Sequence, residues 1–114
     1  MKGIELKVNE RNLKCSFGLG FLGECLENLD LSVLDIGEKL DKNPFKWIPT
    51  LMYESIKYTE GELDFTKKDL INWLEEDVNG TKTMNSFLLA FVDSLKKDVP
   101  KQEPVKGKRQ PKKK

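Results

Sequence analysis

Hydrophobic and polar positions alternate at the start of the chain and then change period. Ile4, Leu6 and Val8 are separated by Glu5 and Lys7, and Leu13, Cys15 and Phe17 repeat the alternation. A period of two is the signature of a strand buried on one face. Between the runs stand Asn9-Glu10-Arg11-Asn12, read as a polar turn of four residues. So short a loop joins antiparallel strands, because a parallel crossover needs a dozen residues or more. The chain is therefore predicted to open with a β-hairpin.

From Leu19 the period is helical. Phe21, Leu22, Cys25, Leu26 and Leu29 recur on one side, with Glu24, Glu27 and Asn28 on the other. Ser32 is placed to cap a short second helix carrying Val33, Ile36 and Leu40, with Asp35 in its first turns. Asn43-Pro44 interrupts the pattern before Phe45, Trp47, Ile48, Leu51, Met52 and Ile56 resume it. Pro49 is expected in or near the first turn of that third helix, since a deeper proline costs about 3 kcal/mol. Thr66 and Asp69 have capping-box spacing and open a fourth helix burying Leu70, Ile71, Trp73 and Leu74. Asn79-Gly80 reads as a helix stop, and a fifth helix is expected from about Thr83, with Met84, Phe87, Leu88, Phe91, Val92 and Leu95 inward. The expected fold is α+β but mainly α: an N-terminal β-hairpin followed by four or five helices, packed as one small domain over residues 1–99.

Charge separates the end of the chain from this body. The whole carries 20 Lys plus Arg and 19 Asp plus Glu, net +1. From Pro100 onward there are seven basic residues and one glutamate, which leaves residues 1–99 at net −5. Residues 100–114 also hold three prolines and no aromatic, so they are expected to form a disordered basic tail. Lys106, Lys108, Arg109, Lys112, Lys113 and Lys114 are its candidate phosphate contacts, the basis of an alternative reading as a small nucleic-acid-binding accessory protein.

The composition narrows the chemistry. The absence of histidine removes the commonest general base and zinc ligand and the Ser-His and Cys-His pairs. The longest apolar run, Phe87 to Val92, is six residues, far short of a membrane span. The first residues lack the apolar stretch of a secretory signal, so a cytoplasmic protein with reduced cysteines is expected. Cys15 and Cys25 fall on apolar faces, the setting of buried, unreactive thiols. Gly18-Leu19-Gly20-Phe21-Leu22-Gly23 fits the spacing of a dinucleotide-binding turn, but the strand before it is the return strand of a hairpin. Glu38 and Asp41, where the ribose-binding acid would fall, lie in a helical pattern. It reads as a glycine-rich strand-to-helix turn, and no cofactor, metal or enzymatic activity is expected.

Two stretches carry a resemblance. Phe17-Gly18-Leu19-Gly20-Phe21-Leu22 straight after a hairpin, and Asn43-Pro44-Phe45-Lys46-Trp47-Ile48-Pro49-Thr50-Leu51-Met52-Tyr53, resemble the tail assembly chaperones of long-tailed bacteriophages and prophages. The likeness covers about residues 3 to 95. It implies a non-enzymatic protein of the infected bacterial cytoplasm that binds the tape-measure protein. The client is kept soluble until tail-tube subunits polymerise around it, and the chaperone is absent from the finished virion. The implied partners are the tape-measure protein and the tail-tube protein, with self-association as a further option. Such proteins are often made in two lengths by ribosomal frameshifting, for which the codons of Lys112-Lys113-Lys114 would offer a slippery run. A client groove would be supplied by the aromatic helix, through Phe45, Trp47, Leu51, Met52 and Tyr53, although the same side chains are equally suited to a core.

Overall fold

The computed structural model describes residues 3–98; the basic tail, with Lys106, Lys108, Arg109, Lys112, Lys113 and Lys114, lies outside the described residues. Strands β1 (Gly3–Val8) and β2 (Arg11–Ser16) pair antiparallel, with Ile4 opposite Cys15 and Leu6 opposite Leu13. The turn has two residues rather than four. Asn9 and Glu10 both take positive φ, 49° and 69°, as a type I′ turn requires, and Arg11 and Asn12 are drawn into β2. Glutamate is a poor choice for that geometry. The turn is held from outside instead: the Asn9 N–H donates to Asp77 Oδ2 at 2.6 Å, and its side-chain amide to Glu76 Oε1 at 3.1 Å.

Five helices follow: α1 (Leu19–Leu29), α2 (Val33–Lys42), α3 (Pro44–Glu60), α4 (Lys67–Glu76) and α5 (Gly80–Asp98). Gly18, at φ 105°, makes the sharp turn from β2 into α1 that a residue with a Cβ would resist. The described sheet is only this hairpin, so the glycine motif has no second parallel strand to work with. The expected Thr66–Asp69 capping box forms, and the expected Ser32 cap of α2 proves to be a full capping box as well. The Asp35 N–H donates to Ser32 Oγ at 3.1 Å and the Ser32 N–H returns to Asp35 Oδ2; Asp69 and Thr66 do the same at the start of α4.

Helix α3 is the axis of the molecule, packed against β2, α1, α2, α4 and α5. It is therefore buried nearly all round, over Ile48, Pro49, Thr50, Leu51, Met52, Ser55 and Ile56. Two boundary expectations are corrected here. The helix starts at Pro44, which puts Pro49 inside it rather than in the first turn. The missing Pro49 N–H orphans the Phe45 carbonyl, at a residue 73% exposed where water can replace it. Asn79-Gly80 does not end a helix; α4 stops at Glu76 and Gly80 opens α5. Gly80 is needed for close approach, since any Cβ there would strike the Leu74 carbonyl.

The core joins the inner hairpin face to these helices. Phe17, Phe21, Phe87 and Phe91 form one aromatic cluster, with Phe87 and Phe91 stacked at 6.0 Å. Cys15 and Cys25 are both free and buried, and desolvation pushes each thiol from 9.0 up to about 12. At Cys25 the Glu54 carboxylate adds to that effect. Ile71 and Trp73, expected to be buried, are half-buried; Trp73 carries the Arg11 guanidinium 4.1 Å over its ring.

Candidate functional site

Helix α5 carries more apolar surface than its core contact uses. Met84, Phe87 and Phe91 face inward and are buried, but Leu88 is half-buried, Val92 is 38% exposed and Leu89 63% exposed. Helix α2 has the same excess: Ile36 is its one buried residue, Leu40 is half-buried, and Val33 and Leu34 are exposed. Val92 was expected inward, and Val33 was grouped with Ile36 and Leu40 on α2. Both valines instead line a surface that no described element covers.

That surface contains two hollows along α5. The first, about 480 Å³, lies between the start of α3 and the first half of α5, walled by Pro44, Phe45, Ile48, Met84 and Leu88. Thr81, Lys82 and Asn85 supply its polar atoms. The second, about 200 Å³, lies where α5 meets α1 and α2, and its side chains are all apolar: Leu22, Val33, Ile36, Leu40, Phe91, Val92 and Leu95, beside Gly37. No carboxylate lines either one. Such a track buries apolar side chains of a partner and can orient them only through Lys82 and its polar neighbours.

The expected client-binding residues divide. Phe45 is the most exposed of them at 73% and forms a wall of the first hollow. Leu51 and Met52 are fully buried and Tyr53 is tied down, its hydroxyl donating to the Phe65 carbonyl at 3.3 Å and its ring set edge-on to Phe65. The groove expected from Leu51 and Met52 is thus corrected to core, because α3 is enclosed on every side at their level. Trp47 is half-buried, with the Lys39 and Lys46 ammonium groups 5.4 and 5.3 Å from its ring. Sequence reasoning missed Pro44, Gly37 and Lys82 as groove residues. The available signal was the width of the apolar stripe on α5, which includes Leu89 beyond the inward set.

A third, polar hollow of about 600 Å³ borders the hairpin turn, lined by Glu5, Glu10, Glu76, Asp77, Lys7 and Lys82 among others. Two of its carboxylates are in structural use: Glu76 accepts from the Asn9 side-chain amide, and Asp77 accepts from the Asn9 and Asn79 N–H groups, which lower its pKa. Among the described residues no group of three or more His, Cys, Asp or Glu side chains converges as a metal site would require. No helix among them is long and apolar enough to cross a membrane. Comparison with protein-family models, with curated protein sequences and with solved structures gives no match.

Proposed function

We propose that this protein is a tail assembly chaperone of a long-tailed bacteriophage or prophage, a non-enzymatic factor that binds the tape-measure protein in the bacterial cytoplasm. The observation that carries the reading is the uncovered apolar track along α5. A protein that keeps a long helical client soluble needs an apolar surface the client can cover and a charged exterior everywhere else. The track supplies the first and a body of net −5 the second. The stretch whose sequence resembles the chaperones, residues 43–53, begins at this track: Pro44, Phe45 and Ile48 are its wall, while Leu51 and Met52 fix the helix that presents them.

Co-expression with the tape-measure protein encoded downstream is the test. The expected result is a client that moves from the pellet to the soluble fraction and co-purifies with the chaperone. A client that stays insoluble and unbound overturns the reading. Salt-sensitive DNA binding lost on deleting residues 100–114 would then favour the nucleic-acid alternative.

A further inference from the structure

The two hollows are related by a regular step along α5. Met84 and Leu88 line the first and Phe91 and Leu95 the second. Each residue of the second pair lies seven positions after its counterpart, and Asn85 and Val92 repeat the relation. At 1.5 Å per residue the sockets are about 10 Å apart along the helix, two turns. Seven residues return to almost the same face of an α-helix, so a second helix lying along α5 presents side chains at the same interval. A strand running the same way would advance about 3.3 Å per residue and match the step only at every third residue, where its side chains alternate faces.

Charge gives the track a polarity. Lys82 lines the first hollow, while the second has no charged group in its lining. The adjoining start of α3 has no side-chain cap on its free N–H groups and no acidic residue in its first turn. Lys82 also borders the polar hollow and its carboxylates, but the first socket itself holds a lysine and no acid. It favours carboxylates on whatever lies there.

We infer that the α5 track is a two-socket seat for one amphipathic client helix, which inserts large apolar side chains seven residues apart and lays acidic residues beside Lys82. This rests on the chaperone reading above and gives its client surface a register. The client segments it selects are those where apolar residues recur at i and i+7 and a glutamate or aspartate lies within a turn of the first anchor. The second socket has a natural plug. Gly37 lies on its α2 wall, and a Cβ added there meets nothing within 4 Å. A tryptophan at that position can fill the socket without displacing the core.

The test uses two labelled helical peptides of equal composition, one with leucines at i and i+7 and one with leucines at i and i+5, titrated against the full chain. Five residues place the leucines on different faces, so only one can be seated. The seven-residue peptide is expected to bind roughly tenfold more tightly, the size of one buried leucine, and Gly37→Trp should abolish that preference. Lys82→Glu should weaken a peptide carrying glutamates at the first anchor and leave its all-glutamine counterpart unchanged. Equal binding of the two peptides, or a preference that survives Gly37→Trp, overturns the inference. If the tape-measure protein nevertheless co-purifies equally with wild type and Gly37→Trp, the chaperone reading stands and the client sits elsewhere. If the client fails to co-purify while the peptide preference holds, the seat is real and its partner is another helical protein.

Discussion

The two ends of α3 solve opposite problems. Its C-terminal half is sewn to the hairpin: Ser55 Oγ donates to the Ser16 carbonyl at 2.7 Å, Thr59 Oγ1 to the Ser55 carbonyl at 2.8 Å, and the Ser16 and Thr59 hydroxyls meet at 2.5 Å. The Ser16, Ser55 and Thr59 hydroxyls brought into that contact are all partnered, as burial demands. The N-terminal half begins without a side-chain cap, contains a proline in its second turn, and leaves Phe45 in solvent beside an apolar hollow. One end closes the fold and the other leaves apolar surface for something else to cover. Stability and binding should therefore separate along this single helix.

The largest effect belongs to the enclosed part. Leu51→Ala removes a side chain with no exposure and should cost about 2–5 kcal/mol in urea unfolding. Phe45→Ala, six residues earlier, should change stability by less than about 0.5 kcal/mol while reducing client capture. A large loss of stability from Phe45→Ala would break the comparison, since it would make the groove wall part of the core. Next in size is Ser55→Ala, which strands the Ser16 carbonyl; about 1–3 kcal/mol is expected, read as a shift in urea midpoint at unchanged slope. Smaller and opposite in sign is Gly37→Ala on the groove side. The added methyl group meets no atom and replaces a poor helix former, so thermal unfolding should report a gain of up to about 1 kcal/mol.

The smallest effect is electrostatic and lies at the junction of hairpin and α4. N–H groups of Asn9 and Asn79 favour the Asp77 carboxylate, and Lys7 adds to the effect, so its folded pKa is lowered from 3.8. A lowered carboxylate pKa contributes stability that is present above the ordinary value and is lost as pH falls through the folded one. Asp77→Asn should thus be less stable than wild type at pH 7, with the difference shrinking below about pH 4. Unfolding curves at pH 7 and pH 3 measure it; a difference independent of pH would contradict the assignment.

Local chemistry was the part of this fold most legible in the sequence. The Ser32–Asp35 and Thr66–Asp69 boxes are contacts between residues three apart, so spacing alone specifies them. The hairpin was equally visible in its alternation, but its turn was not. Glu10 at φ 69° is held by the hairpin pairing and by Asp77 and Glu76 on the Asn9 beside it, partners 67 and 68 residues away in sequence. Gly80 misled for a related reason. Its role depends on how closely the α4 end passes, which no local pattern records. The candidate site was half legible. Phe45 could be singled out as an aromatic at a helix start, and the apolar stripe on α5 could be counted. Which apolar face remains uncovered, however, is decided by where α2 lies relative to α5. Leu51 and Met52 were drawn into the candidate groove because a helix enclosed on all sides and a helix with one sticky face share the same apolar residues.

The most direct test of the account is amide hydrogen exchange on the protein alone and in the presence of the tape-measure protein proposed as its client. The account predicts slowed exchange in residues 33–45 and 81–95, the two walls of the track, with the hairpin at residues 3–16 unchanged. Protection confined to the hairpin, or no difference with and without the tape-measure protein, would contradict it.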